Sequence, residues 1–392
     1  MSVSGVPATL PRVYLSRRAA LGALLCALPL LAACVGTANP EGWAPPVRDG
    51  QSIILSLDAG ELTFANLADD GTIRVRWTFP NDNRDDEKRL EPEGVYCAPL
   101  LSGDRIYVAT HAEGVFALNA SDGTIAWRRD DLGDTIVSAF ALVSTDRLAV
   151  GTSDGRLHML RITDGKTAEG WPAEGRHLAA GIWASLVATA DTLYAATMKG
   201  EVVSIDLATA QDRWASPFKA EGAVLELALL PNGRLFVPSL DRHVYLLDAS
   251  TGATAARVDT TDWVWMQPEV ADGVAYFGDL AGTVYALDIT SGEYRWRVRP
   301  DPADGFPAFH RIKSRPLLLD GILVIADRAP AVHFLDATTG RRLNRVPIEA
   351  STVRAPLVVS DTTALVLSTN GKLFRADPAQ LSVTPILIGG AP

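Results

Sequence analysis

Gly282-Thr283-Val284-Tyr285-Ala286-Leu287-Asp288-Ile289-Thr290-Ser291-Gly292-Glu293-Tyr294-Arg295-Trp296 is the stretch on which the reading of this chain turns. Val284 to Leu287 is a short apolar run of the kind that forms a strand, and it stops at an aspartate. A turn follows, then a second run that carries the tryptophan. Two such runs around a polar, glycine-containing turn predict a β-hairpin. The aspartate can accept backbone N–H groups of the turn. The glycine supplies a positive φ at little steric cost, and the tryptophan offers a large surface for docking.

The pattern recurs. Within Gly114 to Trp127 the core from Val115 aligns residue for residue with that from Val284, and Gly200 to Trp214 repeats the pattern with Ala210 in the glycine slot. Leu246 to Gly252 and Phe334 to Gly340 carry its centre, and Phe64 to Gly71, His158 to Gly165 and Phe374 to Asp377 are weaker copies. The strong copies define the repeat residues Asn119, Gly123, Trp127, Asp206, Trp214, Asp248, Gly252, Asp288, Gly292, Trp296, Asp336 and Gly340. With Leu67, Arg161 and Asp377 added as the remaining aspartate-equivalent positions, the spacings are 52, 42, 45, 42, 40, 48 and 41. A period in the low forties holds four short strands with turns, which is one propeller blade.

The units can be filled in outward from that hairpin. Pro99 to Leu101, Arg105 to Ala109, Val115 to Leu118 and Thr124 to Arg128 read as the four strands of one unit. In the first unit the strands read as 43–46, 52–57, 62–64 and 73–79. The slot three residues before the aspartate holds Phe64, Phe116, His158, Val203, Tyr245, Tyr285, His333 and Phe374, a bulky position suited to packing one blade on the next. Trp127, Trp214 and Trp296 are expected to dock between blades, with Trp77 and Trp171 displaced by two residues. The fold expected for residues 43–392 is all-β: an eight-bladed β-propeller of four-stranded antiparallel blades, or seven blades if a terminal unit is incomplete.

The repeat Ala-x-Asp-x-x-Thr-Gly-x-x-x-Trp resembles that of the quinoprotein-type, pyrroloquinoline-quinone-like propellers over roughly residues 43–388. Such a resemblance speaks for fold and repeat type, and function has to be argued from a site. Two readings follow. One is a quinone-dependent oxidoreductase with PQQ and calcium near the propeller axis, or a small-ligand binder using that channel. The other is an interaction scaffold. In architecture, length and export signal the chain resembles the lipoprotein subunit of the outer-membrane β-barrel assembly machinery, the BamB-like family. No Cys-Cys pair of the alcohol-oxidising quinoproteins is present, and the blades are nearly bare of the insertions that build a quinone pocket. The scaffold is the preferred reading, without catalytic residues, cofactor or metal site.

The N-terminus reads as an export signal. Arg12, Arg17 and Arg18 precede an uncharged run from Ala19 to Ala33, too short for an ordinary membrane span. A basic flank, a short apolar core and small residues before a cleavage point make a signal peptide. Leu31-Ala32-Ala33-Cys34 resembles the lipobox of bacterial lipoproteins, which implies lipidation of Cys34. Residues 1–33 are then the signal peptide and 34–42 a lipidated tether. The expected place is the extracytoplasmic side of a membrane, on the outer membrane if the cell has two. Ser16-Arg17-Arg18 also fits a twin-arginine export signal.

Charge and cysteine count narrow the classes further. The net charge is −10, and removal of the export segment with its three arginines leaves −13. An acidic body does not suit phosphate contacts, so nucleic acid is excluded as a partner. Only Cys97 remains beyond the export segment, inside the apolar run Tyr96 to Leu100, so a buried core thiol is expected and no internal disulfide. His158 and His333 fall in the packing slot. His111 and His243 fall in turns and are expected to be solvated. No histidine pair has metal spacing, and no nucleophile elbow or phosphate loop appears.

The remaining candidates are loop residues on a rigid, monomeric propeller that would hold a protein partner at the membrane surface. An insertion at 81–93 is highly charged, and a second at 299–312 carries Phe309, His310 and Arg311. Arg176, His177 and Trp183, and likewise Trp263 and Trp265, lie where one unit passes to the next. One of Trp263 and Trp265 is expected to replace the docking tryptophan of its own unit, where Ala256 fills the slot. If these junctions approach the channel, they form a mixed Trp, Arg and His interaction surface.

Overall fold

The computed structural model describes residues 44–389, without 57–60, 69–71, 82–83, 85–89, 91–93, 112, 138–139, 300–310, 350–352, 361, 369–371 and 387. The signal peptide and tether with Cys34, most of the insertion at 81–93, and Phe309 and His310 lie outside the described residues.

Among the described residues the protein is all-β. Eight antiparallel sheets follow one another along the chain: blades 1 (47–79), 2 (100–129), 3 (141–177), 4 (187–219), 5 (228–259), 6 (269–298), 7 (317–347) and 8 (353–386). Each has four strands in sequential order. The first sheet gains a fifth, Ile388–Gly389, which runs parallel to Ile73–Phe79. First strands touch between blades 3 and 4, 6 and 7, 7 and 8, and 8 and 1, so the first strands line the axis, and the last of these contacts closes the ring. Closure matters because an open ring would leave the apolar faces of blades 8 and 1 in water.

The core is a set of wedges between blades. Eight buried apolar clusters are present, one at each blade-to-blade interface, the last joining blades 8 and 1. Second and third strands are apolar on both faces because both faces meet a neighbour. His243–Asp248, for example, has four buried residues in succession. Fourth strands are outermost and alternate, as in Tyr294–Val298.

The repeat hairpin is built as its sequence suggests. The side chains of Asp206, Asp248, Asp288 and Asp336 each accept backbone N–H groups two and three residues on, at 2.8–3.1 Å. The residue four after the aspartate has positive φ in every described copy: 75° at Gly123, 69° at Gly165, 56° at Ala210, 76° at Gly252, 74° at Gly292, 73° at Gly340 and 50° at Leu381. At Gly123, Gly165, Gly252 and Gly340 the flat side of a tryptophan from the preceding blade lies against that residue. A Cβ on Gly340 would come within 2.7 Å of the Trp296 ring. The indole N–H of each docked tryptophan donates to the carbonyl one residue past the aspartate-equivalent of the next blade. The pairs are Trp77 to Ala120, Trp127 to Ile162, Trp171 to Leu207, Trp214 to Ala249 and Trp296 to Ala337, at 2.8–3.1 Å. A side chain of this size buries roughly 150–250 Å², on the order of 4–6 kcal/mol of gross apolar stabilisation. The two displaced tryptophans dock as the other three do.

Blade 1 and Ala256 depart from expectation. The first strand of blade 1 is Val47–Asp49, after Pro45-Pro46 and not within 43–46. The aspartate-equivalent of blade 1 is Asn66, not Leu67. Asn66 pairs with Ser52, the first residue of its second strand, as Asn119 pairs with Arg105 and Asp288 with Val274. A one-residue slip turns every side chain to the other face. Phe64 accordingly packs beside Trp77 against blade 2, and Thr63 takes the slot position. The other seven slot residues are buried.

The other departure concerns Ala256. It is itself the residue against the next hairpin, where a Cβ on Gly292 would lie 2.4 Å from its own Cβ. Neither Trp263 nor Trp265 substitutes for it. The Ile289 carbonyl that an indole would serve is bonded instead by Asn232 at 2.7 Å and Arg234 at 2.9 Å.

The histidines divide by position. His158 is buried with Nε2 at 2.7 Å from the Leu132 carbonyl, and His333 is buried with Nε2 3.1 Å from Asp327. Burial holds both imidazoles below the usual histidine value. His243 is not solvated as expected: it sits between Asp241 and Asp259, mostly covered. His111 is half-buried and tilted against Tyr96.

Candidate functional site: the channel mouth

The segments leading into the first strands share a register that repeat identity does not reveal. In each of blades 2 to 6, the turn after the second strand donates an amide to a junction carbonyl at 2.9 Å: His111 to Gly94, Ser153 to Thr135, Met198 to Gly181, Leu240 to Ala223 and Leu280 to Trp263. The next residue is always a buried apolar anchor. These are Val95, Ile136, Ile182, Val224 and Val264, with Ala44 and Ile312 as the counterparts in blades 1 and 7. Anchors also bind the preceding blade, as Ile182 N does at Thr152 O and Ile312 N at Asp279 O.

The residue after the anchor points toward the axis. Pro45, Tyr96, Val137, Trp183, Leu225 and Trp265 line one cavity of about 400 Å³, joined by Pro46, Cys97, Phe140, Glu226, Met266, Gln267 and Arg315 among others. Lys313 holds the same register in blade 7, and its ammonium stands 4.2 Å over the Trp265 ring. Burial, then Arg328 and Arg311, push the Lys313 pKa down.

Glu226 is the acid of this cavity and is 8% exposed. Three neutral donors converge on its Oε1: Leu227 N at 2.9 Å, Ser185 N at 3.2 Å and Gln267 Nε2 at 3.2 Å. Burial raises its pKa, and the hydrogen bonds from Ser185, Leu227 and Gln267 oppose the rise. The cavity guanidinium, Arg315, is already paired with Glu269 at 2.8–3.0 Å. The Cys97 thiol, also in the wall, is pushed up to about 12 by burial, which makes it a packing residue and not a nucleophile.

The sequence candidates separate here. Trp183 and Trp265 meet in the cavity. Trp263 and Arg311 hold the position before the anchor, are exposed, and lie outside the lining. Arg176 and His177 form the outer strand of blade 3. Arg176 binds Ala210 O and Asp212 there, tying blade 3 to blade 4 far along the sheet from the axis. The expected single surface is therefore two tryptophans at the mouth with Trp263 and Arg311 around it, without the Arg176–His177 pair. Glu226, Gln267 and Lys313 are additions that sequence reasoning misses. The available signal was a lone acid inside the apolar run Ala223 to Leu230.

The lining does not fit an anionic quinone with calcium. It offers one carboxylate, with Oε1 occupied by three N–H groups, and one guanidinium, already neutralised by Glu269. Among the described residues no group of three or more His, Cys, Asp or Glu is placed to hold a metal ion. The two tryptophans could floor a stacked ring, but no Asp or Asn converges on them.

Comparison with known proteins gives one consistent result. The family model described as outer membrane protein assembly factor BamB matches residues 31–225 and 219–377. The curated relative of that name from Yersinia pestis is 26% identical over 200 residues, 50% of this chain and 42% of that protein. The one from Moranella endobia is 24% identical over 278 residues, 69% of each chain. The first match thus spans less than half of the relative's length. Among solved structures, BamB from Moraxella catarrhalis superposes with a TM-score of 0.66 at 14% identity, covering 87% of this chain and 97% of that one. The computationally designed protein Ika8 gives the same TM-score at 15% identity.

Proposed function

Because the chain belongs to the family of the outer membrane protein assembly factor BamB, we propose that it is an extracytoplasmic scaffold in outer-membrane protein assembly. In this reading Cys34 carries the lipid that holds it to the membrane, and the propeller works as a monomer without PQQ or any other cofactor. The family match over most of the chain is the observation that carries the proposal. The channel mouth supports it, because the mouth is a rigid, aromatic-rich concavity on a closed ring, and such surfaces serve recognition. A protein partner engages the face that carries the ring residues and the exposed Trp263.

Site-specific photocrosslinking in membranes tests this reading. A crosslinker at Trp263 should capture a membrane-bound component whose depletion lowers the amount of folded outer-membrane β-barrels. A crosslinker at Thr254, on the outer strand of blade 5, should not. Equal capture from both positions, or no reproducible partner from either, would refute the proposal.

A further inference from the structure

The channel mouth holds a buried carboxyl beside which the described residues place no paired cation. Glu226 is more than nine-tenths buried and lines the cavity, yet its hydrogen-bond donors are two backbone amides, the Gln267 amide and the Ser185 hydroxyl, all neutral. Arg315 cannot serve it, since Glu269 takes that guanidinium. A buried carboxylate without a cation is costly, and removal of that cost is a driving force for a cationic ligand.

The surroundings are arranged for such a ligand. Ser185 and Gln267 hold the carboxyl from the two flanking blades, Ser185 through its hydroxyl as well as its amide, which fixes the carboxyl at the cavity wall. Two residues before each donor stands a tryptophan, and Trp183 and Trp265 line the same cavity as Glu226. Ring faces attract cations through their quadrupole, and Lys313 already uses Trp265 in this way. A carboxyl and two tryptophans in one cavity supply the chemistry of a site for an ammonium or guanidinium group.

We infer that the channel mouth receives a lysine or arginine side chain of the protein partner, with Glu226 as its counter-ion and Trp183 and Trp265 as its walls. This rests on the scaffold reading above and adds the chemistry of recognition to it. Charge complementarity supports the choice of occupant, since the body of the chain carries −13 and the cavity carries one unmatched carboxylate. Other charged or titratable groups near the mouth are Lys313 with Arg311 and Arg328, the Arg315–Glu269 pair, Tyr96 and Cys97. The cluster around Lys313 is the local opponent of an incoming cation, so the Glu226 side of the cavity is the side that receives it.

The test uses the mature propeller and three short blocked peptides, identical except for a central arginine, lysine or norleucine. Binding is read by isothermal titration and by tryptophan fluorescence. Both basic peptides should bind more tightly than the norleucine peptide. Glu226→Gln, which keeps the side chain's size, should remove that preference with a loss of about thirtyfold or more while it unfolds at or above the wild-type temperature. Lys313→Met should tighten binding of the basic peptides. Binding of the basic peptides should weaken as the pH is lowered through the raised Glu226 pKa and the carboxylate takes up a proton.

Equal binding of the norleucine peptide, or full retention by Glu226→Gln, would mean apolar recognition alone and overturn the inference. Absence of binding by all three peptides would overturn it too. The crosslinking experiment separates this from the parent reading. Capture from Trp263 that is unchanged in Glu226→Gln leaves the scaffold standing and removes the cation site, whereas loss of all capture removes the scaffold.

Discussion

Gly340 and Gly321 lie in the same blade at nearly the same backbone angle, φ 73° and 77°, which allows the docking of the tryptophans to be measured. Around Gly321 a Cβ would meet nothing within 4 Å; around Gly340 it would lie 2.7 Å from Cε3 of Trp296 and 3.0 Å from Cδ2. Gly321→Ala therefore incurs the left-handed backbone cost alone, about 1–2 kcal/mol. Gly340→Ala incurs the same cost plus overpacking, about 1–3 kcal/mol more. A third variant sharpens the series. At Gly292 the opposing atom is the Cβ of Ala256 at 2.4 Å, which sits on the backbone and cannot swing away. Gly292→Ala should cost at least as much as Gly340→Ala, and Ala256→Gly in the same chain should recover the steric part. Urea unfolding followed by far-UV circular dichroism gives the midpoints, and near-UV dichroism reports the indole at Trp296. Values for Gly321→Ala and Gly340→Ala within about 0.5 kcal/mol of each other, or no recovery in the double variant, would refute the docking argument.

Other outcomes follow from the same geometry. Trp296→Phe keeps an aromatic face but drops the 3.0 Å bond to Ala337 O, and should cost about 1 kcal/mol or somewhat more in urea. The Asp288 carboxyl is held down to about 2 by the Ser291 amide, then by Arg295 and the Thr290 amide, below its ordinary 3.8. A depressed folded pKa gives stability that is present above about pH 4 and lost as the pH falls through about 2. Asp288→Asn should flatten this acid limb relative to wild type when urea midpoints are compared at pH 5 and pH 3. Cys34→Ser should abolish incorporation of labelled palmitate and shift the protein out of the membrane fraction; a labelled variant would disprove the anchor.

Most of the ring was legible because its hairpins repeat by identity. Asp and Gly recur where a turn needs an acceptor and a positive φ, and Trp recurs where a neighbour must be covered. The repeat register is right in seven blades and wrong in the first, where Asn66-Leu67 offers a polar and an apolar residue at the end of the strand and the tryptophan comes late. Only pairing with Ser52 decides between them. First strands were the least legible elements because several are two residues long, such as Val187–Ala188 and Ala228–Leu229. Two residues are too few for a period of two to show.

The candidate site lies in the part of the repeat where identity is free to vary. After the anchor, the chain places Pro45, Tyr96, Val137, Trp183, Leu225, Trp265 and Lys313 in one register, and no alignment by residue type would stack them. The anchor is constrained because it fills a wedge between blades, and the hairpin is constrained because a tryptophan lies on it. The residue between anchor and first strand meets neither constraint. It faces the axis, so its side chain can differ from blade to blade without disturbing a wedge. A binding surface built from such positions can change without cost to the ring, and that is the reason it leaves no repeated trace. Glu226 is the exception, since an acid in Ala223 to Leu230 contradicts the burial of its neighbours. Burial of a carboxyl opposes folding unless something answers its charge. Ser185, Leu227 and Gln267 satisfy its hydrogen bonds within the ring, and a cationic ligand would supply the charge that these neutral donors lack.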